Sequence, residues 1–270
     1  MIKLAFSTLG CPDWSWKDIF ASAKDLHMDG IEVRGVADEL FAPAAKPFLP
    51  ENIDATRVQL QKSGLVIQMF TTGGPVGDAA AEQSMAECRA YIDLAQRLST
   101  PYVRVMAADY PQPTPTDLDL AAANFAALCD YAAPKGVTPL IETNGVLADS
   151  DEMLRFLHKV DRPNAGVLWD VHHPYRYYGE TPEQTYGKLG PYIRHLHVKD
   201  SVMENGKVSY RMLGHGDVPV FDCLRMFADD DRVLFASLEW VKRWNPDLTE
   251  PGVVFPQYAD YMRYLLRKFM

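Results

Sequence analysis

Short apolar runs alternate with longer amphipathic segments along the whole chain. This rhythm predicts parallel strands joined by helices, because fully buried strands are short and apolar whereas surface helices carry one apolar stripe. Eight runs fit strands: Leu4–Leu9, Gly30–Arg34, Leu65–Phe70, Tyr102–Met106, Thr138–Glu142, Gly166–Asp170, Ile193–Val198 and Val233–Glu239.

Helical periodicity fills most of the intervals between these strands. It predicts helices at Asp18–His27, Pro50–Lys62, Ala79–Ser99, Asp117–Ala133 and Phe255–Lys268, with weaker sixth and seventh helices. Eight strand–helix units favour a closed α/β barrel, the (β/α)8 TIM barrel, over an open doubly wound sheet of five or six strands. The first strand ends in STLGCPDW, which lacks the glycine pattern of a dinucleotide site, and the chain has no P-loop motif.

Length and composition agree with this architecture. The chain has 270 residues, of which 47% are hydrophobic and 23% charged. These values are ordinary for a globular protein, and a TIM barrel needs roughly 250 residues. We therefore expect one domain over residues 1–270.

Charge and segment composition exclude several classes of protein. A formal net charge of −9 argues against a nucleic-acid partner, which normally requires a concentrated basic surface. The N-terminus lacks the apolar stretch of a secretory signal, and no segment is apolar enough to span a membrane, so we expect a cytoplasmic protein. The four cysteines show no CxxC spacing, which predicts reduced core thiols.

Ionisable residues interrupt the carboxyl ends of four successive strands. The fifth strand ends at Glu142, the sixth at Asp170 and the seventh near His197, and the eighth ends at Glu239. Because parallel strands of a barrel end at the same mouth, we expect these four side chains to meet there.

Three carboxylates at one mouth would repel one another, and a divalent cation relieves that repulsion. Carboxylate and imidazole ligands suit Mn²⁺ best, with Mg²⁺, Co²⁺ and Zn²⁺ as further options. Any one of the four residues alone could instead pair with an arginine or cap a helix. His195 shares the direction of His197 on its strand, so the pattern does not decide between them.

These motifs resemble the sugar phosphate isomerase/epimerase superfamily, also known as the xylose isomerase-like TIM barrels. The resemblance covers nearly the whole chain. It depends on FSTLG and DGIEVRG near the start, IETNG and WDVHHP in strands five and six, HLHVKD with GHGDVP at strand seven, and SLEW in strand eight.

The resemblance implies a metal bound by Glu142, Asp170, His197 and Glu239, and a structural role for His195. Glu142 and Glu239 would also act as acid and base on opposite faces of the substrate. His173, three residues after Asp170, matches a substrate-contacting histidine.

The implied reaction begins with proton abstraction next to a carbonyl, giving an enediolate that the metal stabilises. Returning the proton gives epimerisation or isomerisation of a small sugar or polyol. Two departures affect substrate contacts: Ala148 replaces a glutamate of the ketose 3-epimerases, and KDSVMENGK replaces an arginine-containing segment.

Other residues near the mouth have less specific predictions. Lys199 could hold a substrate oxygen or be a solvated surface lysine. Glu32 and Arg34 share one side-chain direction, and we expect them to pair with each other. Trp14 and Trp240 are candidate walls of a sugar pocket, where an indole packs on the apolar face of a ring.

Three alternative functions remain open at this stage. The same machinery could serve a lyase or dehydratase acting on an inosose, a dehydroshikimate-type acid or a 3-keto glycoside. An abasic-site endonuclease would need additional histidines where this chain has Gln68, Met69, Phe70, Arg104 and Met106. A catalytically silent barrel is the third alternative. A homodimer is compatible with any of these functions.

Overall fold

The computed structural model describes residues 1–78 and 81–268 and contains a closed barrel of eight parallel strands. The prediction of a (β/α)8 barrel is confirmed. The first strand closes the barrel by pairing with both the second and the last strand. The barrel consists of β1–β7 and β10, and β8 and β9 form a separate two-stranded sheet. The strands are β1 Ile2–Ser7, β2 Gly30–Val33, β3 Val66–Pro75, β4 Tyr102–Met106, β5 Thr138–Glu142, β6 Gly166–Asp170, β7 Ile193–Val198, β8 Asp200–Glu204, β9 Lys207–Arg211 and β10 Leu234–Leu238.

Helices connect the strands, and the weak sixth and seventh helical patterns correspond to two short helices. The predicted start of the third helix at Ala79 lies outside the described residues. The α-helices are α1 Trp16–Asp25, α2 Ile53–Ser63, α3 Ala81–Leu98, α4 Leu118–Ala132, α5 Ser150–Val160, α6 Pro182–Leu189, α7 Val220–Arg225 and α8 Pro251–Leu266.

Local sequence signals explain several helix ends. Ser15 and Asp18 form a capping box at the start of α1, and Thr181 and Gln184 form another at α6. Helix α2 ends at Gly64, whose φ of 73° is a conformation that glycine adopts without strain.

Apolar side chains fill the amino-terminal part of the barrel interior. Met69, Leu140 and Leu168 form a buried cluster there, against which Tyr102 packs. Because alternate strand residues share one face, the residues two positions later on these strands point into the next layer toward the barrel mouth. Those later residues include Glu142 and Asp170, so the apolar layer forms the floor beneath the polar site.

A larger apolar core lies between the barrel and its helices. Trp169 is fully buried in it, and the rings of Phe6 and Phe255 stack with centroids 4.2 Å apart. The four cysteines all lie within the described ranges, buried and unpaired, as predicted. No helix in the described part of the chain is long and apolar enough to cross a membrane.

The segment KDSVMENGK forms the first strand and the turn of an unpredicted antiparallel hairpin, made of β8 and β9, beside the mouth. Asp200 fixes its base, since its two carboxylate oxygens accept hydrogen bonds from the backbone N–H groups of Gly214, Gly216 and Val218 at 2.9–3.2 Å. A Cβ at Gly216 would lie only 2.0 Å from Asp200 Oδ1, so the loop requires glycine there. The hairpin brings Tyr210 to the cavity above the barrel.

Candidate active site

Four predicted residues converge at the carboxyl ends of the strands. Glu142, Asp170, His197 and Glu239 are buried, and one potential ligand atom from each lies within 4.8 Å of the others. Two ligands of one ion can be at most twice a coordination bond apart, which is about 4.0–5.2 Å for bonds of 2.0–2.6 Å. The group could therefore hold a metal ion.

His197 has an unused nitrogen aimed at the three carboxylates. Its Nδ1 lies 3.5 Å from Glu142 Oε1, 3.8 Å from Asp170 Oδ2 and 3.4 Å from Glu239 Oε1. Neither Nδ1 nor Asp170 Oδ2 has a hydrogen-bond partner within the described ranges. Buried polar atoms that make no hydrogen bond are costly, and these two face a common point where a cation would bind both.

The opposite nitrogen of His197 explains why Nδ1 is free. Nε2 lies 2.9 Å from Oε2 of the fully buried Glu32, so a proton on Nε2 would leave the Nδ1 lone pair facing the carboxylates. His195 Nε2 lies 3.5 Å from the same Glu32 oxygen. A carboxylate behind a histidine is the usual support of a metal-binding imidazole.

The expected pairing of Glu32 with Arg34 is wrong. The two side chains share a direction, but Glu32 lies deeper and is engaged by the histidines of β7. Arg34 Nη1 instead donates to the carbonyl of Leu40 at 3.1 Å. Strand register predicts which residues share a face, but not which of two neighbouring partners a buried carboxylate takes.

Two buried cations hold the outer oxygens of the glutamates. Arg104 donates from Nη1 to Glu142 Oε2 at 2.7 Å, and from Nη2 to the carbonyl of Thr72 at the same distance. Lys199 donates to Glu239 Oε2. Its Nζ also lies 2.6 Å from Asp170 Oδ2, in an ion pair that lacks hydrogen-bond alignment. The inner oxygens of both glutamates thus remain directed at His197.

The pKa values follow from this network. Burial alone would raise the pKa of Glu142, but the charges of Arg104 and His197 outweigh burial and hold it well below its usual range. The pKa of Glu239 is lowered in the same way, against its burial, by Lys199 and His197. Burial opposes the charge of Lys199, yet Asp170 and Glu239 raise its pKa well above normal. Both glutamates are therefore carboxylates at neutral pH.

His173 lies in the cavity wall, at the position expected from the sequence. Its Nδ1 is 2.9 Å from the carbonyl of Thr143, and its Nε2 is 3.6 Å from Asp170 Oδ2. Burial lowers the pKa of His173 despite the opposing charge of Asp170. A neutral ring donating from Nδ1 would present Nε2 as an acceptor toward the site.

A cavity of about 560 Å³ opens above these residues. Glu142, His173, Lys199 and Glu239 line it, together with Tyr210 from the hairpin. Pockets that hold small molecules commonly have volumes of about 300–1,000 Å³. The arrangement can therefore enclose a small ligand over two carboxylates.

The structure corrects the expected tryptophan walls. Trp14 packs edge-on against Phe255 at 5.6 Å, and Trp240 is buried with its indole N–H bound to the carbonyl of Thr249. Neither tryptophan lines the cavity, because both turn into the core beside the strand ends. Trp244, 54% exposed, lines it instead. Trp244 belongs to the sequence RWNP in the loop after β10, and this position at the barrel mouth could have indicated that it lines the cavity.

Two further site residues were missed for different reasons. Arg104 interrupts the apolar run YVRVM of β4, the same kind of signal that identified the four strand-end residues. Tyr210 gave no comparable signal, because the hairpin that carries it was not predicted.

The chain belongs to the xylose isomerase-like TIM barrel family, which it matches over residues 20–263. The resemblance inferred from the strand-end motifs is thereby confirmed. Proteins similar to this chain include sugar epimerases.

Individual members of the family are similar to this chain over nearly its whole length. The chain is 26% identical over 277 residues to fructoselysine 3-epimerase of Shigella flexneri, covering 98% of each chain. Its fold is similar to D-psicose 3-epimerase with D-tagatose from Clostridium cellulolyticum H10, with a TM-score of 0.76, 15% identity and coverage of 98% and 99%. It is also similar to a Mycobacterium smegmatis barrel of this family in complex with magnesium, with a TM-score of 0.74, 18% identity and coverage of 99% and 97%.

Proposed function

We propose that this protein is a divalent-metal-dependent epimerase or isomerase of a ketose-like sugar or keto-polyol. The observation that carries the proposal is the convergence of Glu142, Asp170, Glu239 and the unpartnered Nδ1 of His197 on one point beneath the cavity. The similarity to a sugar 3-epimerase over 98% of the chain supports the same reaction class.

The charge balance of the buried site favours a divalent ion. Glu32, Glu142, Asp170 and Glu239 supply four negative charges, and Arg104 and Lys199 supply two positive ones. Without an ion, the charges of Glu32 and Glu239 outweigh burial and raise the pKa of His197 well above normal, so the imidazole carries a positive charge. An ion bound at Nδ1 would displace that proton, which leaves two negative charges for the ion to compensate. Buried charges of this kind are stable only when paired or bound to a metal, so an M²⁺ ion matches the deficit. Oxygen-rich ligands with one imidazole favour Mn²⁺, with Mg²⁺, Co²⁺ or Zn²⁺ as further options.

When bound, the ion would supply Lewis-acid stabilisation of negative charge on the substrate. The chain's own residues then carry the proton chemistry. Glu142 removes a proton from the carbon next to the carbonyl on one face and retains it. Glu239 delivers a proton taken up from solvent water to the other face, and the proton on Glu142 is then lost to solvent. His173 and Lys199 orient the substrate oxygens, while Trp244 covers the cavity.

Proton NMR in deuterated water tests the proposed function directly. The Mn²⁺-loaded protein is incubated with D-fructose, D-tagatose, their phosphates and fructoselysine, and is then freed of metal with EDTA before spectra are recorded. We expect a product of unchanged formula with solvent deuterium at the carbon next to the carbonyl. Protein treated with EDTA before incubation is expected to be inactive.

Other products would point to different functions. An unsaturated or shortened product would identify a lyase, and cleavage of an abasic-site oligonucleotide would identify an endonuclease. The endonuclease would need further metal ligands on β3 and β4. Among the described residues, none of the three clusters able to hold a metal includes a residue of these two strands, which disfavours that function. Protein that binds metal but exchanges no proton with any tested ketose or keto-polyol would contradict the proposal.

The contact between Glu32 and His197 makes Glu32 a test of the metal site from outside it. We expect Glu32→Gln to weaken Mn²⁺ binding about 10–100-fold, since loss of the carboxylate behind a metal-bound histidine has this typical cost. Isothermal titration calorimetry measures the change. The control is Glu51→Gln, an exposed glutamate, and equal affinities for both variants would remove Glu32 from the metal site.

A further inference from the structure

Among the described residues that line the cavity, Arg34 is the one cationic side chain that is not bound to a carboxylate of the site. Arg104 is bound to Glu142, and Lys199 is bound to Asp170 and Glu239. Arg34, by contrast, forms no ion pair with any described residue, and its guanidinium makes a single protein hydrogen bond, from Nη1 to Leu40. Arg34 is one of the residues that line the cavity.

The backbone around Arg34 is built to hold it in place. Thr8 Oγ1 accepts hydrogen bonds from the N–H groups of Arg34 and Gly35, which fixes the chain after β2. On the adjacent strand, a Cβ at Gly73 would lie only 2.6 Å from Arg34 Nη2. Glycine at that position therefore leaves the space that the guanidinium occupies.

The charge of Arg34 is only partly compensated. Burial lowers its pKa and the positive charge of Arg104 adds to that effect, while Tyr91 and the carboxylate of Glu87 oppose it. The neighbouring carboxylate of Glu87 accepts the N–H of Gly73 at 2.6 Å rather than pairing with the guanidinium. A desolvated arginine with free donors binds carboxylates and phosphates well, because its planar fork offers two parallel hydrogen bonds.

We propose that Arg34 forms an anion subsite of the cavity and that the substrate is a keto-sugar carrying a carboxylate or phosphate group. This inference rests on the proposed function and specifies its substrate class. Arg34 is two residues beyond Glu32 on the same face, so it lies nearer the mouth than Glu32. Glu142 and Glu239 pair with Arg104 and Lys199 instead of Arg34, so the anionic group would sit away from the two glutamates.

Equilibrium binding to the Mn²⁺-loaded protein tests the subsite without turnover as the only readout. The probes for calorimetry are D-fructose, fructose 1-phosphate, fructose 6-phosphate and D-fructuronate. Because mutarotation and turnover complicate the heats, the measurements use the Glu142→Gln/Glu239→Gln variant provided that it retains metal, and otherwise the wild type at 5 °C. We expect at least one anionic ketose to bind tenfold or more tightly than D-fructose. Comparing the two phosphates with D-fructuronate distinguishes a phosphate site from a carboxylate site. Comparing the 1-phosphate with the 6-phosphate shows which end of the sugar carries the anionic group.

Variants at position 34 assign that preference to its side chain. Arg34→Gln is expected to reduce the anionic-to-neutral affinity ratio to below threefold, and Arg34→Lys to leave an intermediate ratio because it retains charge but not the fork. Arg155→Gln, which removes an exposed arginine of α5, should leave the ratio unchanged. Circular dichroism and Mn²⁺ titration verify that each variant is folded and binds metal.

The outcomes separate this inference from the proposed function. If neutral ketoses bind or react and no anionic ketose is preferred, or if Arg34→Gln keeps the preference, the anion subsite is wrong and the proposed function stands. If the protein binds metal but neither neutral nor anionic ketoses bind or react, the result contradicts the proposed function itself.

Discussion

Glu142→Gln and Glu239→Gln are each expected to reduce the rate of epimerisation by about 10²–10⁴-fold, the usual contribution of a positioned acid or base. Both variants keep the size of the side chain, so their effect is chiefly on proton transfer. The rate is measured at saturating Mn²⁺, because each residue is also a proposed ligand. A variant that reaches the wild-type rate at saturating Mn²⁺ would show that the residue only binds the ion.

Isotope exchange separates the two glutamates more sharply than rate does. If they act on opposite faces, each variant should still exchange the proton of one epimer with deuterated water while failing to convert it to the other. Glu142→Gln and Glu239→Gln should then retain exchange with opposite epimers. Exchange lost for both epimers in one variant, and kept for both in the other, would indicate a single base.

Asp170→Asn is the matched control for these variants. Asp170 is a proposed ligand with no acid–base role, and its Oδ1 accepts the N–H of His172 at 2.9 Å. We expect this variant to bind Mn²⁺ more weakly but to recover most of its rate at high metal concentration. A rate that stays as low as that of the glutamate variants would give Asp170 a role beyond coordination.

The barrel and its four strand-end residues could be predicted because each rests on a local, periodic signal. An ionisable residue at the end of an apolar strand must lie at the mouth, whatever the exact packing. The pairing of Glu32 needed more than this, since two partners were in reach and depth in the barrel decided between them. Side-chain direction at Trp14 and Trp240 likewise depends on packing against α8 and the loop before it.

The hairpin of β8 and β9 shows a different limit of sequence reasoning. Its strands are short and mostly polar, so hydrophobic periodicity gives them little weight. Asp200 anchors the hairpin through backbone N–H groups of residues 214–218, contacts that cross more than ten residues. Tyr210 reaches the cavity only because of that anchor, so its place in the site could not be predicted.

Arg104→Met should be the most destabilising single substitution in the site. Removing one partner of a buried ion pair leaves the other charge uncompensated, which typically costs about 3–5 kcal/mol of unfolding free energy. Arg104 is 6% exposed and Glu142 is 2% exposed, so solvent does not replace the lost contact. Urea unfolding of metal-free wild-type and variant protein measures the difference.

The double variant Arg104→Met/Glu142→Gln tests whether charge is the cause. Because it removes both members of the pair, it should recover most of the stability that Arg104→Met loses. Arg57→Met, at an exposed pair with Asp54 on α2, should change the unfolding free energy by less than about 1 kcal/mol, as surface ion pairs contribute little. If the double variant were as unstable as Arg104→Met, the loss would instead come from the hydrogen bond to Thr72 and from packing. Arg104 would then be a structural link between β3 and β4 rather than the residue that keeps Glu142 ionised.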